Sequence, residues 1–545
     1  GRTGRDGLRG ATFSSMTMDA QTGEVSGASV QIGAPVVEKG LVDVLMRARD
    51  QKLYHAITDC GAGGLSSAVG EMASESGGDV QLENVPLKYP GLSPWEVWLS
   101  EAQERMVIAV PKENLPALRR LCDEYEVEMT DIGCITDSGR MRIFYAETKV
   151  LDLENEFLHH GLPQRTYQAR VTAPRIPVGA RNNASTAVTS NFDETLLRLL
   201  SHPNIASKER VIRDYDHEVQ GGTVVKPLCG TRHDGPSDGA VIKPVNCKEN
   251  HAFVLTNGLN PEYGKLDAAQ MTWLAVDEAI RNAVACGADP RRIALLDNFC
   301  WGDPTRPEIM GDLVKAAQAC YDGALRYQTP FISGKDSFNN EYLGTDGRVH
   351  AIPPTLLISA LGWMQDWRKS LTMDFKAAGD LLFLVGDFKP AFGGSHYNLI
   401  HPDQCMDEGL PVCSEHNPGV FRTLHAAIQK DLVAACHDLS EGGLAVAAAE
   451  MAMAGRLGCT FEIGQDFDLL RSLFGETSGC FVVEIKQEFQ KLFEDCLAGI
   501  PLRRLGVVEN DPMLRVTGSN RALVALSLAS LLNAWKDRRV DGGKA

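Results

Sequence analysis

One stretch of this chain occurs twice. Asp59-Cys60-Gly61-Ala62-Gly63-Gly64-Leu65-Ser66-Ser67-Ala68-Val69-Gly70-Glu71-Met72-Ala73 returns, without a gap, as Asp438-Leu439-Ser440-Glu441-Gly442-Gly443-Leu444-Ala445-Val446-Ala447-Ala448-Ala449-Glu450-Met451-Ala452. Self-similarity of this kind marks a duplicated structural unit. In each copy an apolar stretch stops at the Asp and a glycine pair makes a turn. Leu65/Ala68/Met72 or Leu444/Ala447/Met451 then follow at helical spacing. Each copy therefore predicts strand, tight turn and helix, with a carboxylate at the strand end beside unsatisfied helix N–H groups. Such a corner suits a phosphate carried by a metal ion.

The flanks repeat as well. Glu101-Ala102-Gln103-Glu104-Arg105 leads into a β-rich run at 106–110, and Glu476-Thr477-Ser478-Gly479 leads into another at 480–485. A helical pattern and a short strand (132–135; 505–508) close each copy. Two homologous α/β domains are expected, at 19–172 and 373–530. Between them lie a linker at 173–205, marked by Pro174, Pro177, Asn182, Asn183 and Ser185, and a third domain at 206–370. That domain has no complete partner in the chain. Residues 531–545 read as a tail. Residues 1–18, with glycines at 1, 4, 7 and 10 and Arg2, Arg5 and Arg9, read as a flexible linker when taken as a bare string, and in the context of a repeat-built fold as a phosphate-cradling loop left from a further N-domain. The chain is thus expected to be a piece of a longer protein.

Length and charge narrow the function classes. The 545 residues fit two to four domains, and a net charge of −17 argues against a nucleic-acid surface. Fourteen cysteines include no C-x-x-C pair and no zinc-ligand spacing, so free thiols in a reducing cytosol are expected. Apolar runs such as Leu381–Val385 are too short to cross a bilayer. There is no G-x-S-x-G, H-E-x-x-H, Rossmann G-x-G-x-x-G or kinase motif set.

The third domain carries the densest polar chemistry. Pro236-Ser237-Asp238-Gly239 places a carboxylate in a turn before an apolar strand at 240–242. Trp273, Leu274, Val276, Ala279, Ile280 and Ala283 predict one face of a helix, with Glu278 and Asn282 one turn apart on another. A carboxylate and an amide oxygen so placed are apt ligands for Mg²⁺. Asp297-Asn298-Phe299-Cys300 follows a predicted strand at 293–296, where α/β folds put ligands. Pro330-Phe331-Ile332-Ser333-Gly334-Lys335-Asp336-Ser337 predicts a second strand running into a glycine turn.

Taken together, G-R-T-G-R-D-G-L-R-G-A-T-F-S-S, Gln31-Ile32-Gly33-Ala34-Pro35, D-x-G-A-G-G-L, E-A-Q-E-R-M, Y-D-H-E-V-Q-G-G (215–222) and S-G-K-D-S-F resemble phosphoribosylformylglycinamidine synthase over nearly the whole chain. The resemblance implies an α/β (α+β) fold of tandem halves similar to aminoimidazole ribonucleotide synthetase, the first half lacking its N-domain. It implies a ligase of purine (IMP) biosynthesis. ATP would phosphorylate the amide oxygen of formylglycinamide ribonucleotide, and ammonia from a glutaminase subunit or domain would displace that phosphate. Gln31, Glu101, Ala102, Gln103 and Ser337 would contact substrate, with Asp59 a Mg²⁺ ligand. Asp297, Gly334 and Lys335 would serve the reacting ATP.

A second, auxiliary site would hold ADP, with Asp238, Glu278, Asn282 and Asp438 on Mg²⁺ and Ser237 and Ser440 near the nucleotide. Two positions depart from the family pattern. Ala102 stands where many members have Ser, and Lys335 stands where the small-subunit type has Asn, which turns Lys335 toward phosphate. The family's His and Lys would lie in the missing N-domain, so this chain alone is expected not to turn over. A cytoplasmic location without nucleic-acid or membrane partners completes the expectation. The alternatives are another ATP-dependent enzyme of the superfamily and a non-catalytic nucleotide-binding scaffold.

Overall fold

The computed structural model describes residues 1–8, 16–22, 33–175, 191–214, 217–404, 409–464, 468–518 and 521–536. The chain divides into two units, one of Gly1–Tyr167 with Phe338–Ala351, the other of Gln168–Ser337 with Ile352–Ala545.

Unit 1 starts its first helix, α1 (Pro35–Asp50), with proline at the position where a missing N–H costs nothing. There follow β1 (Ala56–Asp59), α2 (Leu65–Met72), β2 (Gly78–Gln81), β3 (Met106–Ala109), α3 (Leu115–Glu124), β4 (Gly133–Ile135), β5 (Arg140–Tyr145) and β6 (Thr148–Glu154). β1 and β3 pair antiparallel by themselves, and β4-β2-β5-β6 form a second sheet. Two separate apolar clusters result. Leu65, Ala68 and Val69 of α2 pack with Val80, Met141 and Ile143, whereas Val44 and Ala48 of α1 pack with Leu118 and Leu121 of α3. The opening residues are tied into this unit. Thr3 N–H donates to Pro86 O (2.8 Å), and Arg2 and Arg5 pair with Glu128 and Glu96. These two arginines are committed to protein carboxylates, and Arg9 lies outside the described residues.

Unit 2 begins with α4 (Phe192–Ser201), capped by the Asn191 side chain on Glu194 N–H (3.3 Å). A six-stranded sheet has the order β11-β10-β14-β9-β8-β7. Its strands are β7 (Thr223–Val225), β8 (Ala240–Ile242), β9 (Ala252–Gly258), β10 (Ile293–Cys300), β11 (Phe331–Ser337) and β14 (Thr355–Met364). The hairpin β12 (Glu341–Leu343) and β13 (Val349–Ala351) belongs to unit 1. Helices α5 (Ala268–Ala285) and α6 (Pro307–Tyr327) pack on each other, and α5 covers β9 and β14. A seven-stranded sheet follows, with the order β16-β18-β15-β19-β17-β20-β21. It comprises β15 (Leu381–Val385), β16 (Ala435–Asp438), β17 (Gly458–Ile463), β18 (Phe481–Ile485), β19 (Leu502–Glu509), β20 (Met513–Gly518) and β21 (Arg521–Ser527). α7 (Gly443–Gly455) is apolar all round except at Glu450 and is buried accordingly, and α8 (Leu528–Lys536) ends the described chain.

Three expectations need correction. The segment 173–205 is not linker throughout: α4 buries Leu196, Leu199 and Leu200 completely, because its amphipathic face meets α8. The tail expected from 531 is likewise part of the fold, with Leu531 and Trp535 buried. Third, the strand predicted to stop before Asp297 runs on to Cys300, and the next passes through Gly334 to Ser337 without a turn. Parallel pairing of β10 with β11 carries both onward.

Candidate functional site

The two aspartate–glycine corners fold alike. Gly64 (φ +59°) and Gly443 (φ +73°) each sit in left-handed backbone against a carbonyl. A Cβ there would lie 2.0 Å from Ser100 O or 2.5 Å from Gly475 O, so neither position admits a side chain. Each corner is anchored by one buried glutamate. Gly63 N–H donates to Glu101 Oε1 (3.2 Å), and Gly442 N–H donates to Glu476 Oε1 (3.0 Å). Glu476 also accepts from His396 N–H (2.8 Å) and Tyr263 O–H (2.5 Å).

In unit 2 the corner opens on a cavity of about 200 Å³. The turn before β8 brings Ser237 and Asp238, α5 brings Glu278 and Asn282, the end of β16 brings His437 and Asp438, and the corner itself brings Ser440 and Glu441. All six residues expected at the auxiliary site therefore converge. His437 Nδ1 lies 2.7 Å from Asp238 Oδ1 and its Nε2 lies 3.1 Å from Glu450 Oε2. Burial works against a charged imidazole, yet Asp238 and Glu450 overcome it and raise His437 well above its usual range. With both nitrogens so engaged, His437 is a donor between carboxylates and leaves the ligand role to oxygens.

Arg281 sits beneath the cavity, donating from Nη2 to Asp438 Oδ2 (2.8 Å) and to Ser440 Oγ (2.8 Å), and pairing with Asp277. Burial would push Asp438 up, but Arg281 and His437 hold it below the usual carboxylate value. The remaining carboxylates are less well matched. Burial first, then Glu441 and Asp438, push Glu278 well upward, and burial raises Glu441 to about 7. Asp238, Glu278, Asp438, Glu441 and Glu450 thus face two cationic side chains, an acid surplus suited to a bound cation. The Oδ1 of Asn282 points the same way: it is buried and has no hydrogen-bond partner among the described residues, while its amide donates to Asn257 O (3.2 Å). Carboxylate and amide oxygens with one acceptor unspent fit a hard divalent ion.

The residues expected at the reacting site fall on both units, each holding its own set. In unit 1, Asp59 is exposed and its Oδ1 accepts Gly61 N–H (2.8 Å). Glu101 is buried under Gly63, and Gln103 is half-buried. Ala102 is buried, its N–H on Ser100 Oγ (3.2 Å) and its C=O on Arg105 Nε (2.8 Å). In unit 2, Asp297 and Gly334 are cross-strand neighbours on β10 and β11. A Cβ at 334 would lie 2.4 Å from Asp297 Oδ1, so the glycine serves this close approach. Burial raises the Asp297 carboxyl. Lys335 Nζ donates to Ser337 Oγ (2.6 Å). Gln31 lies outside the described residues.

Sequence reasoning missed Arg281, His437, Glu441, Glu450 and Glu476. Arg281 carried a signal, a charge among the apolar positions of α5 and four residues after Asp277. His437, adjoining Asp438 at the strand end, carried another.

Known proteins resemble this chain. The family described as AIR synthase related protein, C-terminal domain, matches residues 2–146 and 377–519, and its N-terminal counterpart matches 236–364. Phosphoribosylformylglycinamidine synthase subunit PurL of Picrophilus torridus is 32% identical over 543 residues, covering 98% of this chain and 69% of that protein. The corresponding subunit of Anaeromyxobacter dehalogenans is 33% identical over 562 residues, with 98% and 70% covered. Among solved structures, T. maritima PurL complexed with FGAR superposes with a TM-score of 0.65 at 21% identity, covering 93% of this chain and 70% of that one. T. maritima PurL complexed with ATP gives 0.62 at 20%, covering 93% and 69%. At these identities the structural matches establish the tandem synthetase fold.

Proposed function

The chain belongs to the phosphoribosylformylglycinamidine synthase (PurL) family, and from that premise we propose that it serves the ATP-dependent amidation of formylglycinamide ribonucleotide in purine biosynthesis. The reaction class is C–N ligation. The amide oxygen of the substrate takes the γ-phosphoryl group of ATP, ADP leaves, and ammonia then adds at that carbon as phosphate departs with the oxygen. Phosphoryl transfer of this kind depends on positioning and charge neutralisation more than on a single acid or base. The observation that carries the reading is the convergence of Ser237, Asp238, Glu278, Asn282, Asp438 and Ser440 on one acid-rich cavity.

That cavity is read as the auxiliary nucleotide site. Asp238, Glu278, Asn282 and Asp438 would hold Mg²⁺, which supplies charge neutralisation for a polyphosphate. Arg281 keeps Asp438 ionised and oriented, and His437 orients Asp238 through its Nδ1. Ser237 and Ser440, both in the cavity lining, are assigned to the nucleotide. In the reacting site, Asp59 is the proposed metal ligand of unit 1, and Glu101 holds the Gly63 N–H in place. Gln31, Glu101, Ala102, Gln103 and Ser337 are assigned to substrate. Asp297, Gly334 and Lys335 are assigned to the reacting ATP, Lys335 acting on phosphate. Ammonia is assigned to a glutaminase subunit or domain. A cytosolic setting belongs to the same reading, in keeping with the unpaired thiols of the described cysteines.

Isothermal titration with ADP and Mg²⁺ tests the cavity. Binding is expected, weakened at least about tenfold by Glu278→Ala and by Asn282→Ala. No binding, or binding indifferent to both changes, removes the assignment. An assay of the full-length protein with formylglycinamide ribonucleotide, MgATP and ammonium chloride tests the chemistry: amidine formation supports the ligase reading. MgADP binding without any amidine favours a nucleotide-binding scaffold.

A further inference from the structure

Asp277 lies within α5 and is fully buried, yet its two oxygens gather donors from four directions. Tyr327 O–H (2.5 Å) and Asn417 Nδ2 (2.7 Å) donate to Oδ1. Gly479 N–H (2.9 Å) and Arg281 Nη1 donate to Oδ2. The donors come from α5 itself, the end of α6, the start of the helix Asn417–Gln429 and the turn before β18. A buried carboxylate supplied in this way is a junction between elements.

Arg281 extends the junction to the cavity. Its Nε (3.1 Å) and Nη2 (2.8 Å) donate to Asp438 Oδ2, and Nη2 also reaches Leu439 O (3.2 Å) and Ser440 Oγ (2.8 Å). The planar guanidinium holds the corner with one side and Asp277 with the other, so it cannot turn on one without moving on the other.

Tyr327 extends the junction the opposite way. It is the last residue of α6, is buried, and stacks on Phe421 with ring centroids 5.9 Å apart. It is not part of the cavity wall. α6 is the crossover between the parallel strands β10 and β11, which carry Asp297 on one and Gly334, Lys335 and Ser337 on the other. After Tyr327 the chain turns through Gln328 in left-handed backbone (φ +58°) and enters β11 at Phe331. β11 is the edge of its sheet and pairs with β10 alone among the described residues. A strand held on one side depends on how firmly its entry is anchored.

We propose that Tyr327 is a positioning residue for β11, and that the series Asp438, Arg281, Asp277, Tyr327 couples occupancy of the cavity to the order of that strand. This rests on the reading of the cavity as a nucleotide site. A nucleotide with its divalent cation fixes Asp438 and Ser440, hence Arg281, hence Asp277 and the end of α6. A second ligand then meets a strand already ordered, which gives positive cooperativity without a change of shape.

Amide exchange of the full chain with and without MgADP, alongside titration calorimetry, tests the coupling. In the wild type, MgADP should slow exchange at 331–337 at least about fivefold, the low end for coupled sites. Tyr327→Phe removes one hydroxyl and leaves Asp277 its other donors. It should bind MgADP within about twofold of the wild type and lose the slowing at 331–337. Asn417→Ser removes a different donor from Asp277 and should keep the slowing. Calorimetry showing no MgADP binding to the wild type overturns the nucleotide reading and this proposal with it. Binding with exchange at 331–337 unchanged or faster overturns the coupling alone. Slowing that survives in Tyr327→Phe, or that vanishes equally in Asn417→Ser, also overturns it, because either result takes Tyr327 off the route.

Discussion

Two corners share a turn and differ in company. In unit 2, Asp438 is buried with Arg281, His437 and Ser440 around it. In unit 1, Asp59 stands in solvent with a single turn contact from Gly61. The glycines and the anchoring glutamates are the same in both, so the turn itself does not decide the environment. What decides it is the helix packed above. α5 brings Arg281, Glu278 and Asn282 to the unit 2 corner and closes it into a cavity. A duplicated motif therefore supplies a scaffold for a carboxylate, and the neighbouring element sets whether that carboxylate is committed or open.

The largest test of this difference is Arg281→Met. It leaves Asp277 buried without its cation and Asp438 with His437 alone, and should cost about 3–5 kcal/mol of unit 2 stability. Asp59→Asn should change unit 1 by less than about 0.5 kcal/mol. Urea unfolding resolved by hydrogen exchange reads each unit separately, and equal losses would erase the distinction. Next comes the anchor. Glu476→Gln weakens bonds from Gly442, His396 and Tyr263 together and should cost about 2 kcal/mol, whereas Glu101→Gln should cost about 1 kcal/mol. A larger loss at Glu101 would reverse the comparison.

The smallest effect concerns pH. Burial pushes Glu484 up to about 8, although Lys376 and Ala377 N–H groups donate to it. Its counterpart in unit 1 is Ala109. A carboxyl raised in the folded state adds stability that is fully present below its usual 4.5 and is lost as pH rises through about 8. Between pH 6 and 8, unit 2 should therefore lose at least about 2 °C in Tm, and Glu484→Gln should reduce that slope, leaving the share of the raised Glu441 and His437. Scanning calorimetry across that range checks the sign.

Much of this was legible because local chemistry dictates it. A left-handed turn needs its glycine, so the repeat announced both corners. The i, i+4 spacing of Glu278 and Asn282 placed them on one helix face before any fold was known. The rest depends on partners distant in sequence. Arg281 takes its meaning from Asp438, and His437 from Asp238, pairs that the fold alone brings together. Gly334 read as a turn because glycine usually punctuates a strand. Its contact with Asp297 across β10 gives the actual reason for a glycine there. α4 was obscured by the proline- and asparagine-rich residues before it, and its leucines become interpretable beside α8.

The contact between α4 and α8 has a practical consequence. Trp535 donates its indole N–H to Ile205 O (3.1 Å), Ser207 N–H donates to Trp535 O (2.9 Å), and Asn204 and Ile205 form part of the cavity wall. The end of the described chain thus braces the rim from outside. A tight fit at that rim would register as a change in indole emission, and clipping the final helix would slacken the wall. The protein carries its own optical gauge of whether the cavity is filled.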